Sequence, residues 1–140
     1  MDPIGNYFRN NSIIKNGYWN LEMTDPYFKK NDFIVNIEIK NLIDNKIAHI
    51  NVNELFNITT NKKENIFFFK GFLINENENW KIYLTKYTNN VEELIFAGII
   101  SINIVTNNFE INGDWSSINL LNKGKFKFIP SNNQDILKIQ

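Results

Sequence analysis

The chain has 140 residues, enough for one domain with a sizeable hydrophobic core. Its 15 basic residues balance its 15 acidic residues, so it lacks the electrostatic footprint of a protein that binds nucleic-acid backbones. It contains no cysteine, which excludes disulfides, thiolate metal sites and a cysteine nucleophile.

The amino-terminal residues show no basic region followed by an apolar stretch, so no signal peptide is predicted. The most apolar run, residues 94–105, includes Ser101 and Asn103 and is too short and too polar to cross a bilayer. We therefore expect a soluble cytoplasmic protein that does not bind membranes and forms a single domain over residues 1–140.

Apolar and polar residues alternate with period two along most of the chain, a pattern that predicts β-strands. In chain order, the segments that show it are 17–23, 32–40, 46–53, 65–75, 80–87, 94–105, 109–118 and 125–130. Most connections are short, which favours antiparallel neighbours. Residues 54–64 are expected to hold a helical turn and a lid-like loop, and the tail 131–140 fits either a last strand or a short helix.

Sequential strands with one apolar face predict an all-β protein, an eight-stranded antiparallel up-and-down meander. Closing this meander into a barrel removes the two unpaired edges that would otherwise aggregate. The alternative is an open sandwich of two sheets.

The tetrapeptide Asn-Gly-Tyr-Trp at 16–19 returns as Asn-Gly-Asp-Trp at 112–115. Asn-Gly is a strong hairpin signal, but the apolar parity of Phe109, Ile111 and Trp115 continues through the second copy. Both copies are therefore interpreted as strand kinks, with a glycine on the inward face beside a buried tryptophan.

Gly17-Tyr18-Trp19, which opens the first predicted strand, resembles the G-x-W signature of lipocalins and the wider calycin group. The resemblance implies a barrel closed at one end by Trp19, with a basic residue near the last strand packed across it. Here Lys123, Lys125 or Lys127 would have to take that place. Lipocalins are usually exported and disulfide-bonded, and this chain shows neither property.

The chain is also similar to the lipocalin-like cytosolic barrels of bacterial antiphage systems, some of which bind cyclic dinucleotides. This similarity implies a bacterial protein with a role in antiviral defence. Those barrels carry transmembrane helices ahead of the barrel, and the sequence predicts none here.

Residues suited to catalysis are scarce. His49 is the only histidine, and it faces away from Ala48 and Ile50, so we expect it to be exposed. There is no Gly-x-Ser-x-Gly motif, and the clustered carboxylates fall in turns, where charges normally solvate loops. The sequence therefore predicts no enzyme, no cofactor and no metal site.

A small ligand at the barrel mouth is the favoured function. Trp80, Trp115 and Phe96 are predicted to face inward, and eight-stranded barrels lie at the boundary between a filled interior and one that holds a ligand. Lys86 continues the inward parity of its strand, and Lys70 continues that of Ile66 and Phe68. Both lysines would place positive charge beside aromatic rings, which suits an anionic, nucleotide-like ligand.

The alternative function is protein binding through the outer wall or the loops, as in an immunity or inhibitor protein or an antiphage accessory protein. Tyr18, Tyr83 and Tyr87 lie on the outward parity and are its candidate contacts. The segment 66–74 is apolar on both faces, so its outward side is expected to be covered by residues 54–64, by the tail 131–140 or by a second copy of the chain. The last case would make the protein a homo-oligomer.

Overall fold

The structure is a computed structural model that describes residues 17–25, 30–43, 47–58, 62–64, 67–77, 79–103, 105 and 108–130. The strands are β1 (Gly17–Thr24), β2 (Lys30–Ile43), β3 (Ile47–Asn57), β4 (Lys62–Glu64), β5 (Phe67–Glu76), β6 (Asn79–Thr88), β7 (Val91–Asn103), β8 (Asn108–Ser117) and β9 (Lys123–Pro130). These residues form no helix, and thus none that is long and apolar enough to span a membrane.

The strands form a closed eight-stranded antiparallel barrel. Except for β4 and β5, neighbours in sequence pair with each other, and β1 pairs with both β2 and β9, which closes the sheet. The short β4 and the longer β5 both lie beside β3, at its C-terminal and N-terminal parts, so together they fill one position of the barrel. The up-and-down meander barrel is confirmed, and the open sandwich is wrong.

The prediction for residues 54–64 is wrong. Residues 54–57 continue β3, and Leu55 pairs with Glu64 of β4. Extended pairing satisfies the backbone donors and acceptors of both segments, which an isolated loop would leave to water. The tail 131–140 lies outside the described residues.

The two ends of the barrel differ in their connections. At the proximal end, β1 begins at Gly17 and β9 ends at Pro130. At the distal end, turns follow Thr88 and Ser117.

Side chains fill the middle of the barrel. Phe96 is fully buried, and its ring centroid lies 5.3 Å from that of Phe69 and 5.1 Å from that of Phe126. The Phe126 and Phe128 centroids are 5.6 Å apart. Such edge-to-face and tilted contacts are favourable for aromatic pairs. The rings therefore pack the middle layer of the barrel as a hydrophobic core.

The second Asn-Gly lies inside β8 and is not a hairpin turn, as predicted. Gly113 pairs with Gly98 of β7, and both glycines lie on the inward face. A Cβ built on Gly98 would lie 2.8 Å from Cζ of Phe126 and 2.7 Å from the carbonyl oxygen of Asn112. The missing side chain of Gly98 thus provides the space in which the Phe126 ring packs, and that of Gly113 allows β7 and β8 to approach closely.

The tryptophans are buried to different extents. Trp115 is buried near the distal end, where its Nε1 donates a hydrogen bond to the Thr24 carbonyl oxygen at 3.0 Å and its ring covers Gly124. Trp19 packs against the core but is only half-buried, which corrects the prediction that it is buried like Trp115. Trp19 pairs with Pro130 at the proximal end, where the barrel wall leaves part of a large ring uncovered.

The basic partner that the lipocalin resemblance implies is not formed by the candidate lysines. Lys123, Lys125 and Lys127 alternate with inward residues of β9 such as Phe126, and so they lie on its outward face. Lys123 also stands at the distal end, far along the strand from Pro130, the residue that pairs with Trp19.

Candidate functional site

The inward aromatic residues predicted as a ligand site do not form one cluster. Phe96 and Trp115 are cross-strand partners on β7 and β8. Trp80 is fully buried at the start of β6, which is the proximal end of the barrel. The filled middle layer therefore separates Trp80 from Trp115.

Lys86 lies inside the distal end, as its parity predicts. Its side chain is 13% exposed, and its Nζ lies 4.0 Å from the centroid of the Phe67 ring. A second contact joins Nζ to Oε1 of Glu93, 3.7 Å away. Lys86 is thus a positive charge on the face of an aromatic ring, next to one carboxylate.

Lys70 lies on the outer wall, so its predicted inward placement is wrong. It is exposed, while its neighbours Phe69 and Leu73 are buried in the core. Its Nζ lies 5.4 Å from the centroid of the Phe68 ring, on the same outward face. Since this strand is apolar on both faces, its alternation fits either orientation equally well.

Two aromatic pairs cross the outer wall from β5 to β6. Phe68 stacks on Tyr87 with centroids 5.0 Å apart and an interplanar angle of 11°. Phe72 packs against Tyr83 at 5.7 Å. Tyr83 and Tyr87 are therefore outward residues, as predicted, whereas the side chain of Tyr18 lies outside what the structure describes.

Exposed apolar residues continue from this aromatic row onto β7. Tyr83 of β6 pairs with Ala97 of β7. On either side of this pair along the two strands, Thr85 pairs with Ile95 and Lys81 pairs with Ile99. Phe72, Ile95 and Ile99 are each between 39% and 53% exposed. We call the residues Phe72, Tyr83, Ile95, Ala97 and Ile99 the apolar wall. Within the single chain Phe72 is 39% exposed, so the predicted cover of the outward side of 66–74 by a second copy stays a prediction.

An open groove adjoins the apolar wall. It has a volume of about 630 Å³, and its lining includes Ile95, Ala97, Thr24, Gly124 and Trp115. Lys125 forms an ion pair with Asp114 beside it. The groove thus combines an apolar floor with charges of both signs at its margin.

The margin of the wall toward the proximal end is also charged. Lys81, which pairs with Ile99, donates a hydrogen bond to Oε2 of Glu76 at 3.0 Å. This hydrogen bond and the charge of Glu76 raise the pKa of Lys81 above its ordinary value. Lys81 therefore keeps its positive charge throughout the neutral pH range.

Within the described residues, no group of three His, Asp or Glu side chains is placed to hold a metal ion. His49 is exposed on the outward face of β3, as its parity predicts, and pairs with Phe72 of the apolar wall. It therefore belongs to the surroundings of the wall.

Comparisons with known proteins relate the chain to designed barrels. No family model matches it, and no curated protein sequence matches it. A redesigned β-barrel of known structure superposes with a TM-score of 0.55 at 9% identity, covering 84% of this chain and 91% of that one. A de novo designed fluorescence-activating β-barrel gives 0.53 at 7% identity, covering 84% and 94%. At these identities the likeness shows the barrel fold alone.

Sequence reasoning missed the contribution of β7 to the outer wall. The signal was present, because residues 94–100 are apolar at both parities, with Ile95, Ala97 and Ile99 opposite the predicted inward set. The strand pairing, which places these residues beside Tyr83, could not be known before the register of β6 and β7 was fixed.

Proposed function

We propose that this protein is a non-enzymatic binding module that engages a partner protein through its apolar wall and the adjoining groove. The observation that carries the proposal is the exposure of Phe72 on β5 and of Ile95 and Ile99 on β7, on either side of Tyr83 of β6. Contiguous exposed apolar surface is uncommon on monomeric proteins and marks interaction sites. An immunity protein, an inhibitor or an antiphage accessory protein would act in this way.

The composition of the wall supports a protein as the partner. Its centre holds aromatic and aliphatic side chains, and its margins hold the pairs Lys81–Glu76 and Lys125–Asp114. An apolar centre inside a polar rim is the usual anatomy of protein interfaces. The wall is broad and open, whereas sites for small molecules normally enclose most of the ligand.

A binding experiment tests this proposal. The full chain and the variants Tyr83→Ala and Ile99→Asp are used as baits in an extract of the natural host, and a captured partner is purified and titrated directly. We expect both variants to weaken binding by at least about tenfold, since each removes a central contact of the interface.

Val105→Asp is the matched control, because Val105 is exposed but lies in the turn after β7, outside the wall. Equal binding by the wild type, Ile99→Asp and Val105→Asp would show that the wall is not the binding surface.

A small anionic ligand at the distal mouth is the second candidate function. Lys86 is the observation that favours it, since an inward ammonium group over the Phe67 ring offers charge and stacking together. The ligand would compete with Glu93 for this charge. A planar anion such as a nucleotide or a cyclic dinucleotide has the matching chemistry.

A thermal-shift screen with nucleotides, cyclic dinucleotides and fatty acids tests this candidate. We expect Lys86→Met to abolish the shift given by a nucleotide and Lys70→Met to preserve it, because Lys70 lies on the outer wall. The shift should also fall with added salt, because salt weakens the attraction between the anionic ligand at the open mouth and Lys86. Stabilisation by fatty acids alone, unchanged in Lys86→Met, would contradict the role of Lys86.

A further inference from the structure

We propose that two copies of this chain associate through the distal end, tip to tip about a two-fold axis. The contact is made by four exposed aliphatic residues at the distal end, which we call the apolar tip: Val91 at the start of β7, and Ile118, Leu120 and Leu121 in the loop after β8. The apolar tip is separate from the apolar wall, and this inference does not rest on the proposed function.

The apolar tip is exposed to an unusual degree. Its residues are between 44% and 80% exposed, and a hydrogen bond from the Ile118 amide to the Glu93 carbonyl oxygen at 3.3 Å joins the loop after β8 to the start of β7. Single exposed apolar residues are normal, but four together at one end form a patch that gains free energy by leaving water.

Hydrogen bonds hold the loop after β8 in one conformation. The Ser117 hydroxyl donates to Oδ1 of Asn119 at 2.6 Å, and the same Oδ1 accepts from the Leu121 amide at 3.1 Å. The Asn122 amide donates to the Ser117 hydroxyl at 3.1 Å, and the Leu120 amide donates to the Ser117 carbonyl oxygen at 2.9 Å. Because the loop is already ordered, association loses little conformational entropy.

Leu120 occupies a backbone conformation that its side chain disfavours. Its φ is 63°, in the left-handed region that suits glycine and asparagine. The chain uses asparagine at the comparable turn positions 77, 89 and 90. In the single chain the exposed Leu120 side chain buries too little surface to offset this strain, and burial in a contact between two copies would offset it.

Charge complementarity identifies the occupant as a second copy. Glu92 and Lys123 are exposed on β7 and β9, and the apolar loop rises from β8 between these strands. Two strand spacings, roughly 10 Å, separate β7, which carries Glu92, from β9, which carries Lys123. A two-fold axis through the tip brings Glu92 of one copy to Lys123 of the partner subunit, and it does so twice. The formal net charge of zero adds no repulsion between copies.

Sedimentation equilibrium of the full chain over a range of concentrations tests the proposal. We expect a reversible monomer–dimer equilibrium, with Leu121→Asp raising the dissociation constant at least about a hundredfold, because each dimer loses two buried leucines. The melting temperature of Leu121→Asp at low concentration should match the wild type, since the side chain is exposed in the monomer.

Charge reversal distinguishes the two-fold arrangement from nonspecific hydrophobic association. Glu92→Lys alone and Lys123→Glu alone should each weaken the dimer, and the double variant should restore it, because the two-fold axis then pairs the exchanged charges. Failure of the double variant to recover would overturn the two-fold arrangement.

Three other results would also overturn the proposal. The first is a wild-type chain that stays monomeric at its highest soluble concentration. The second is a dimer that Ile99→Asp abolishes and Leu121→Asp leaves intact, since the apolar wall would then be the contact. The third is a monomer that floats with phosphatidylcholine vesicles unless it carries Leu121→Asp, since lipid would then be the occupant of the tip.

Discussion

Tryptophan side chains contribute unequally to this barrel because they differ in burial. Trp80 has no exposed surface and Trp19 is half-buried. We expect Trp80→Ala to lower the free energy of unfolding by about 3–5 kcal/mol, since a large ring leaves a cavity that a closed sheet cannot fill. Trp19→Ala should lower the free energy of unfolding by clearly less. Urea unfolding measures both, and equal losses would contradict the half-buried placement of Trp19.

Leu120 allows a test at a single backbone dihedral. Leu120→Asn should raise the free energy of unfolding by about 1 kcal/mol, because asparagine tolerates φ near 63° better than leucine does. Leu121→Asn is the matched control: the neighbouring residue is similarly exposed but has no positive φ, so its stability should hardly change. Thermal unfolding at low concentration compares the two variants with the wild type. A destabilised Leu120→Asn would show that the loop depends on leucine for its own fold.

Single strands differ in how well alternation determines their orientation. β6 alternates Trp80, Ile82 and Leu84 with more polar residues, so the inward position of Lys86 could be predicted from sequence. β5 is apolar at both parities, so the sequence offered two orientations and the one that placed Lys70 inside was wrong. The burial of its partners on β3 and β6 selects between them, and that information belongs to the sheet rather than to the strand.

The pair of glycines between β7 and β8 makes a prediction for these two strands. Gly98→Ala should lower the free energy of unfolding by about 1–3 kcal/mol, since the added methyl group meets both the Phe126 ring and the Asn112 carbonyl oxygen. Adding Phe126→Leu should not restore stability, because the backbone contact remains. Ala97→Ser, on the outward face beside Gly98, is the control. If the double variant recovered the full free energy of unfolding, the added methyl group would clash with the Phe126 ring alone and not with the backbone.

For the whole molecule, eight alternating strands and short turns were enough to predict the closed barrel, because closure satisfies both edges at once. The candidate surfaces were not predictable in the same way. The apolar wall depends on which residues of β5, β6 and β7 become neighbours, and the apolar tip depends on a loop conformation with Leu120 at positive φ. The hydrophobic period of the sequence predicts neither the register between strands nor the conformation of a loop.

Closure of the barrel between β1 and β9 gives the last prediction. Glu22 and Lys127 are cross-strand partners there, and partner Cα atoms in antiparallel sheets lie about 4.5–5.5 Å apart, within the range of disulfides. Because the chain has no other cysteine, Glu22→Cys with Lys127→Cys should form one defined bond in the folded protein. A bond that closes most of the chain should stabilise more than one between Thr85→Cys and Ile95→Cys, cross-strand partners within one hairpin, by about 2 kcal/mol in the chain-entropy description. Urea unfolding with and without reductant measures the difference. If the bond between 22 and 127 fails to form under native conditions while the hairpin bond forms, the barrel opens between its first and last strands in solution.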